Sequence, residues 1–347
     1  MSTWKSNDIF DRMGKMNKTI IVAGGAGFVG SHLCKALMEK GNRVVCFDNL
    51  STGDKRNIQE FLQNDNFTFV LGDVADPTAY SSIENLEIDE IYHLASPASV
   101  TYITEYPVEA AEANGSGTKN LLEIAKKKNA RLLFASSSEA YGDPKEHPQK
   151  ETYWGNVNSV GVRSGYDEGK RFGEALCMAY HREFGVEVRI VRIFNTYGPN
   201  SSINDTRVIP QFVTQALRGE SLTVHGDGLQ TRSFCYVKDM VSGFIKMMES
   251  SETGPINMGN LDEYKIIDVA KKILSATGSK SQIEFVSRPK DDPAVRRPDI
   301  SLANEKLNWS PGVTFDDGLE KTITYFKSIL DKKNDSNIGK TRFSESS

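Results

Sequence analysis

Tyr166 and Lys170, in the stretch YDEGK, have the types and the spacing of a group that removes the proton from a hydroxyl. They lie four residues apart in a segment that reads as a helix, so their side chains share one face. A free tyrosine titrates at about 10, but a neighbouring ammonium favours the phenolate and lowers the pKa of the phenol. The pair is therefore typical of a base that acts while the same carbon gives up a hydride to a nicotinamide cofactor.

Two further side chains with useful chemistry precede this pair, in the stretch SSSEAYG (136–142). Ser137 ends a predicted strand, where its hydroxyl is able to hydrogen-bond a substrate hydroxyl and hold it in line. Glu139 follows two residues later, and a carboxylate beside the reacting carbon indicates a second proton movement, such as elimination or decarboxylation. A structural carboxylate that caps a turn or binds a ribose is the alternative interpretation of Glu139.

A glycine-rich turn completes this pattern. Residues 24–30 read GGAGFVG, directly after a predicted strand and before a predicted helix. Its glycines permit a tight turn, a close approach of the backbone to a pyrophosphate, and close packing of the helix on the strand. The helix N-terminus then offers free N–H groups and partial positive charge to the phosphates. We therefore expect a dinucleotide at this turn, contacted by Gly24, Gly27, Phe28, Val29 and Gly30.

The cofactor expected at this turn is NAD. Asp48 ends the second predicted strand, where an acidic side chain accepts hydrogen bonds from the adenosine ribose and repels a 2′-phosphate. Lys55 and Arg56 nearby keep NADP open as an alternative. The expected cofactor contacts beyond the turn lie at strand ends and at the catalytic pair: Asp48, Asn49, Ser51, Thr52, Gly53, Asp73, Val74, Leu94, Ala95, Ser96, Tyr166 and Lys170.

Short β-branched runs alternate with helical stretches from Thr19 onward, which predicts parallel βαβ units. This succession is typical of an α/β fold with a Rossmann-type doubly wound parallel sheet, whose ligands lie at the carboxyl ends of the strands. We expect strands over 19–25, 43–48, 67–73, 90–96, 131–138 and 188–195, and helices over 27–40, 107–129 and 166–184.

After Asn195 the predicted helices and strands become short and are interrupted by proline and glycine. This pattern predicts a smaller, interleaved C-terminal substrate lobe. The expected tails, 1–17 and 331–347, are polar and predicted to be disordered, and the first lacks the apolar run of a signal peptide. The boundaries we expect are 18–196 plus about 237–262 for the NAD-binding domain, and 197–236 plus about 263–330 for the lobe that binds a nucleotide sugar.

The composition limits the classes of partner. Across 347 residues, 38% hydrophobic and 25% charged residues are typical of a soluble globular protein. A formal net charge of −4 argues against a nucleic-acid surface, so an anionic ligand needs local basic residues. The four cysteines show no CxxC pairing and no histidine at zinc spacing, which indicates reduced thiols of a cytoplasmic protein and no metal site. No apolar run approaches the roughly 20 residues that a membrane span needs.

At these residues the chain resembles the extended short-chain dehydrogenases/reductases, and among them the NAD-dependent nucleotide-sugar epimerase/dehydratase family. Within that family it is most similar to the UDP-glucuronate decarboxylases. The resemblance covers about 18–330 and depends on long strings: HLASPAS (93–99), SSSEAYGDPKEHPQ (136–149), YWGNVN (153–158), YDEGKR (166–171), RIFNTYGP (192–199), LTVHGDGLQTRSFCYV (222–237) and DDPAVRRPDI (291–300).

This resemblance implies a redox-neutral cycle on a nucleotide sugar. Tyr166, with Lys170, is expected to oxidise the C4 hydroxyl while NAD holds the hydride until it is returned. The 4-keto sugar then loses its C5 carboxylate as carbon dioxide, a step that Ser138 and Glu139 are expected to line. The resemblance implies that Arg296 steers the carboxylate or assists reprotonation.

The resemblance also locates the substrate and a subunit interface. It implies that Asn195 meets the sugar diphosphate and that Arg207 and Arg232 contact its phosphates. It further implies a homodimer or a dimer of dimers, paired through the helices expected over 107–129 and 166–184.

The sequence departs from the UDP-glucuronate decarboxylases near the sugar. Glu112 lies in a helix that usually carries lysines there, one of which faces the sugar, and a carboxylate would repel a glucuronate unless a cation intervenes. Glu112 thus favours the alternative of a C4 oxidoreductase or 4-epimerase for a sugar without a carboxylate. A 4,6-dehydratase is less favoured, because dehydratases of deoxythymidine sugars usually have Asp in place of Ser138. A catalytically silent NAD-binding scaffold is the alternative from another class. Further departures are Val100-Thr101, Asn200-Ser201 and Thr206.

Overall fold

The main sheet begins with parallel strands built from buried apolar residues. The computed structural model describes residues 17–288 and 295–342. Along β1, Ile20 and Val22 face one hydrophobic cluster, whereas Ile21 and Ala23 face another. Both faces of the sheet are therefore covered, as is usual for parallel strands. These first strands are β1 (Thr19–Ala23), β2 (Arg43–Asp48), β3 (Phe67–Leu71), β4 (Glu90–His93), β5 (Arg131–Ser137) and β6 (Val188–Ile193).

The helices between these strands differ from expectation at one point. The single helix expected over 107–129 is broken in two, because the backbone at Gly115 leaves the helical region with a ψ of −81°. The helices are α1 (Phe28–Glu39), α2 (Val100–Glu105), α3 (Pro107–Asn114), α4 (Ser116–Lys128) and α5 (Ser164–Phe184), with 3₁₀ turns at Lys55–Phe61, Pro77–Ile83 and Ser138–Tyr141.

The second half of the chain consists of shorter elements. In chain order they are β7 (Thr196–Tyr197), α6 (Val208–Arg218), β8 (Leu222–His225), β9 (Thr231–Ser233), β10 (Cys235–Tyr236), α7 (Val237–Glu249), β11 (Ile256–Met258), β12 (Glu263–Lys265), α8 (Ile266–Thr277), β13 (Ile283–Val286), β14 (Val295–Arg296), α9 (Ser301–Leu307) and α10 (Phe315–Arg342).

The strand β11 returns to the main sheet and lies beside β6, which gives the order β11-β6-β5-β4-β1-β2-β3. All neighbouring pairs in this sheet are parallel. The order reverses between β1 and β4, and this switch point is where ligands bind in such sheets. The arrangement confirms the predicted α/β class with a doubly wound Rossmann-type sheet.

Smaller sheets lie apart from the main sheet, and one of them carries two of the expected basic residues. The strands β12, β9 and β14 form one sheet, and β13 pairs with β8. Within the first of these, Arg296 is the register partner of Arg232. The pairing of β14 with β9 therefore places the two arginines on neighbouring strands.

The end of the chain is helical for longer than expected. Helix α10 continues to Arg342, so residues 331–342 are helical where the sequence analysis expects a disordered tail. Phe315, Leu319, Ile323 and Phe326 recur at helical spacing and are buried, which anchors the first turns of α10 in the core. Residues 1–16, 289–294 and 343–347 lie outside the described residues, and with them the ends of both expected tails and residues 291–294 of the string DDPAVRRPDI.

Membrane and metal sites were searched over the same residues. Across 17–288 and 295–342, no helix combines the length and the apolar character that crossing a membrane would need. Nor do three or more His, Cys, Asp or Glu side chains come together there in a way that could hold a metal ion.

Candidate active site

One large cavity, of about 1100 Å³, lies at the carboxyl edge of the main sheet and is lined on its other side by residues from the second half of the chain. The sequence predicts 25 site residues, and the cavity lining contains the glycine turn, the strand ends, the catalytic pair and the basic residues of the lobe. Those found together in the lining are Gly24, Gly27, Phe28, Val29, Gly30, Asp48, Asn49, Ser51, Thr52, Gly53, Asp73, Val74, Leu94, Ala95, Ser96, Glu112, Ser137, Ser138, Glu139, Tyr166, Lys170, Asn195, Arg207, Arg232 and Arg296.

The turn between β1 and α1 has no room for a side chain at Gly24 or at Gly30. Gly24 has a φ of +81°, and a Cβ there would lie 2.7 Å from the backbone nitrogen of Ala95. A Cβ on Gly30 would lie 2.0 Å from the Gly24 carbonyl oxygen. No side chain caps the start of α1 at Gly27. The turn therefore leaves backbone exposed to the cavity at a helix N-terminus, which suits the pyrophosphate of a dinucleotide.

Asp48 holds this turn in place through hydrogen bonds to backbone N–H groups. Its Oδ2 accepts a hydrogen bond from the Ala26 N–H at 2.9 Å, and its Oδ1 accepts one from the Leu50 N–H at 2.8 Å. Burial raises the pKa of Asp48, although these backbone hydrogen bonds oppose the shift. Both oxygens retain further lone pairs, so the carboxylate is able to hold the turn and accept from a ribose hydroxyl as well.

Lys55 and Arg56, the two basic residues that made NADP an alternative, contact other groups of the protein. The Arg56 guanidinium is held by the carboxylate of Asp54, to which its Nε donates at 2.8 Å. The Lys55 ammonium lies 5.9 Å from the centroid of the Phe69 ring. Arg56 therefore has its charge offset by an acid beside it, and the residues favour NAD over NADP.

Substituting Gly30 tests the turn. We expect Gly30→Ala to lose NAD binding and to unfold at lower temperature, because its methyl group would collide with the Gly24 carbonyl. Bound NAD measured after denaturation and a thermal melt check both effects. Gly312→Ala is the matched control, since Gly312 has no positive φ and a Cβ there meets its nearest atom, Oδ1 of Asp239, at 4.0 Å. Retention of NAD by Gly30→Ala would contradict the assigned turn.

The catalytic pair projects from α5 onto the end of β5. Tyr166 makes a side-chain hydrogen bond with Ser137. The Lys170 ammonium donates to the Ala135 carbonyl at 2.8 Å and lies 5.6 Å from the centroid of the Tyr166 ring. The hydroxyl of Ser137 also accepts from the Glu139 N–H at 3.2 Å. Hydroxyl, phenol and ammonium are thus gathered at one end of the cavity.

The pKa values of this pair correct the expectation from the sequence. Burial raises the pKa of Tyr166 to about 12, and the hydrogen bond from Ser137 only partly opposes it. Burial also lowers the pKa of Lys170 to about 7. In the protein alone the pKa of the phenol therefore stays above its ordinary value, because burial is the largest effect on it.

Glu139 lies in the cavity wall between two arginines. Its Oε2 accepts from Nη2 of Arg163 at 2.7 Å and from Nη2 of Arg296 at 3.3 Å. Burial alone would raise the pKa of this carboxyl, but the guanidinium groups of Arg296, Arg163 and Arg232 bring it below its ordinary value. Glu139 is therefore an ionised carboxylate at neutral pH. Its side-chain contacts are these ion pairs with arginines.

Arg296 is fully enclosed in this wall. It is 1% exposed, donates from Nη1 to the Ser138 carbonyl, and donates from Nη2 to the Gly142 carbonyl at 2.9 Å. These contacts hold the guanidinium against the loop that follows β5. The backbone of Ser138 is thereby fixed, while its buried side chain lines the cavity.

The residues expected to bind substrate also line the cavity. Asn195 has a buried Nδ2 with no hydrogen-bond partner among the described residues, so a donor remains for a ligand. The Nε of Arg207 donates to Asp205 at 2.9 Å, and its guanidinium carbon lies 5.9 Å from the centroid of the Phe28 ring. Glu112 is exposed on α3. Arg207 therefore lines the cavity close to Phe28, and the carboxylate of Asp205 offsets its charge.

Sequence reasoning missed some residues of the site. Arg163, three residues before Tyr166, lines the cavity and holds Glu139. Thr101 and Thr206, noted separately as departures, share a hydrogen bond of 3.0 Å between the two sides of the cavity. No local pattern marks these contacts, because each joins segments distant in the chain.

Comparisons with known proteins assign the chain to a family. A family model described as GDP-mannose 4,6 dehydratase matches residues 21–322. The structure of UDP-glucose 4-epimerase from Thermotoga maritima with UDP-glucose matches with a TM-score of 0.84 at 31% identity, over 90% of this chain and 99% of that one. The chain therefore belongs to the nucleotide-sugar epimerase/dehydratase family, as the motifs predict.

Particular relatives narrow this assignment. The chain is 48% identical over 317 residues to UDP-glucuronic acid decarboxylase 1 of Xenopus tropicalis, across 91% of this chain and 74% of that protein. It is 49% identical over 304 residues to UDP-glucuronic acid decarboxylase 3 of Arabidopsis thaliana, across 87% of each. The structure of UDP-glucuronic acid 4-epimerase from Bacillus cereus in complex with UDP-glucuronic acid and NAD matches with a TM-score of 0.80 at 30% identity, over 90% of this chain and 99% of that one.

Proposed function

We propose that this protein is an NAD-dependent UDP-glucuronate decarboxylase. The observation that carries the proposal is the position of Glu139, an ionised carboxylate held by Arg163 and Arg296 in the same cavity as Tyr166 and Lys170. A simple alcohol dehydrogenase needs no such group beside its tyrosine. The relatives at 48–49% identity support the same activity.

Different residues of the chain serve different steps of the proposed reaction. Tyr166 removes the proton of the C4 hydroxyl, and Ser137, which hydrogen-bonds Tyr166, holds that hydroxyl in line. Bound NAD would accept the hydride from C4 and return it at the end of the cycle. Lys170 supplies positive charge beside the phenol once substrate and cofactor fill the cavity. Polar oxygen atoms of the bound substrate would then stabilise the charged form of this lysine, in place of the water that burial excludes.

Arg296 and Glu139 act on the carboxylate side of the sugar. The guanidinium of Arg296 attracts the C5 carboxylate and orients its bond to C5 for cleavage. The 4-keto group accepts the electrons of that bond as carbon dioxide leaves, and C5 then takes up a proton. Glu139 lies where it is able to direct that proton through water, with Ser138 lining the same region.

The remaining residues hold the cofactor and the nucleotide. The glycine turn, Asp48 and the strand ends from β2 to β4 would bind NAD. Asn195, with its unpartnered Nδ2, and Arg207 and Arg232 would bind the sugar diphosphate. We assign the NAD domain to 18–196 plus about 237–262 and the substrate lobe to 197–236 plus about 263–330. A cytoplasmic location is supported by four cysteines that are all free and buried.

A C4 oxidoreductase or 4-epimerase is the second candidate. The exposed carboxylate of Glu112 lines the same cavity and favours a sugar without a carboxylate. Arg163, Arg232 and Arg296 are the cations that would offset Glu112 in the decarboxylase. Set against the carboxylates of Glu139 and Asp167, these three arginines leave a net positive charge at this wall, which favours the first proposal over the second.

Incubation with UDP-glucuronate tests the activity directly. We expect the purified protein to release carbon dioxide and form a UDP-pentose, with no lasting near-ultraviolet absorbance of NADH. Product mass and absorbance are followed together. Loss of hydride to the cofactor with no loss of mass would favour the C4 oxidoreductase, and recovery of an isomer of equal mass would favour the 4-epimerase.

We also propose a homodimer that pairs through α3, α4 and α5. Val108 on α3 is 67% exposed and Phe172 on α5 is 54% exposed, which leaves apolar side chains on neighbouring helices. We expect Phe172→Glu to convert the dimer into a monomer, because it places a charge in an apolar interface. Light scattering measures the mass. Leu71→Glu, at a residue 66% exposed outside these helices, should leave the mass unchanged, and a monomeric parent protein would refute the interface.

A further inference from the structure

Arg163 lies between two carboxylates, of which one lines the cavity. Its Nη2 donates to Oε2 of Glu139 at 2.7 Å, and its Nε lies 3.9 Å from Oδ2 of Asp167. Glu139 belongs to the cavity lining, whereas Asp167 lies behind it on α5 and is 9% exposed. Asp167 therefore acts on a bound sugar indirectly, by changing the electrostatic potential around Arg163 and its neighbours.

Asp167 is a buried carboxyl group with an open hydrogen-bonding position. Its Oδ1 is buried and has no hydrogen-bond partner within the part of the chain that the structure describes. Glu139 faces it from the 3₁₀ turn, Arg296 from β14, Arg163 from the position just before α5, and Glu168 from α5 itself. Burial first, and then repulsion by Glu139, raise the pKa of Asp167 to about 7, against the opposing effect of Arg163 and Arg296. The group therefore changes its protonation near neutral pH.

Glu139, Arg163, Arg296 and Asp167 together form a unit that we call the wall cluster. We propose that protonation of Asp167 sets the net charge of the wall cluster and, with it, the preference of the cavity for a sugar that carries a carboxylate. When Asp167 is protonated, these four side chains have one net positive charge, and when it is ionised they have none. Arg232, which also acts on Glu139, adds its charge in both states. Asp167 is a positioning residue, because it is not among the residues that line the cavity.

The consequence is a selectivity that depends on pH. This inference rests on the proposed function, since it takes Arg296 to meet the sugar carboxylate. As the pH rises through the titration of Asp167, the wall cluster loses its excess positive charge and attracts the carboxylate less. A neutral sugar on the same nucleotide is indifferent to this change. UDP-glucuronate should therefore lose affinity relative to UDP-glucose.

The test measures binding in a protein that does not turn substrate over. In NAD-loaded Tyr166→Phe, calorimetry gives the dissociation constants of UDP-glucuronate and UDP-glucose. Between about pH 5.5 and about pH 8.5 we expect the ratio of the two to shift about tenfold against UDP-glucuronate, the size of one partly buried charge. Both ligands share the uridine diphosphate, so the ratio removes the effect of groups that contact that common part. Lys170 lies beside Tyr166 and therefore nearer the sugar, and the Asp167 variants separate its effect from that of Asp167.

Variants assign the shift to Asp167. Adding Asp167→Asn, which keeps the size of the side chain and removes its titration, should hold the ratio at its low-pH value throughout. Asp167→Ser gives the same expectation if Asn does not fold. Glu168→Gln is the matched control, because this neighbouring carboxylate is partly exposed and paired with Arg171 at 3.3 Å. It should keep the shift.

Two kinds of result separate this inference from the proposed function. A ratio that does not change with pH, a shift that survives Asp167→Asn, or failure of UDP-glucuronate to bind would overturn the inference. If the parent protein decarboxylates UDP-glucuronate while the ratio is flat, only the inference fails. If the shift depends on Asp167 but the parent protein releases no carbon dioxide, the inference stands and the proposed reaction fails.

Discussion

Tyr166→Phe is expected to abolish turnover of UDP-glucuronate while NAD stays bound. The substitution removes the one hydroxyl that takes the C4 proton and leaves Ser137 without its partner. Loss of a general base reduces a rate by about 10³-fold. The glycine turn and Asp48 are untouched, so NAD content should equal that of the parent protein. Product mass and the NAD released on denaturation measure the two effects.

A tyrosine on the same helix provides the control for this variant. Tyr180 is also on α5 and buried, but its hydroxyl bonds Glu123, away from the cavity. Tyr180→Phe should therefore leave turnover within a small factor of the parent rate. An unchanged rate in Tyr166→Phe would refute the whole mechanism. Loss of NAD together with the rate would instead show that Tyr166 serves mainly to hold the cofactor.

The catalytic pair and the glycine turn were predictable because their information is local. Tyr166 and Lys170 need only helical spacing to share a face, and GGAGFVG needs only a strand before it and a helix after it. The parallel sheet follows from alternating patterns of the same kind. The break at Gly115 had a local signal in the string Asn114-Gly115-Ser116-Gly117, whose dipeptides are typical of turns, and the expectation of one helix over 107–129 did not use it.

The electrostatics of the site could not be predicted, because they depend on burial and on distant contacts. Arg163 meets Glu139 from 24 residues away and Arg296 meets it from 157 residues away, so no spacing rule joins them. Arg296 was named only through resemblance to a family. Burial likewise decides the pKa of Tyr166, and one sequence does not show how deeply a side chain lies.

Glu139→Gln is expected to separate oxidation from decarboxylation. Gln keeps the shape of the side chain but has no charge, so Arg163 and Arg296 lose their shared counter-ion. Release of carbon dioxide should fall by about 10²-fold or more. Tyr166 and Ser137 remain, so oxidation at C4 continues and near-ultraviolet absorbance of NADH should persist after substrate is added. Product mass should show little UDP-pentose over the same time.

The stability of Glu139→Gln distinguishes a chemical role from a structural one. Removing one partner of a buried ion pair lowers the free energy of unfolding by about 3 kcal/mol, which urea unfolding measures. Glu139→Asp keeps the charge and should recover stability, but its shorter side chain draws the carboxylate away from the cavity, so decarboxylation should recover only partly. If Glu139→Asp restores stability and rate equally, Glu139 serves only to hold the arginines. If stability returns and the rate does not, the carboxylate acts in the proton step itself, because only that step depends on its distance from the sugar.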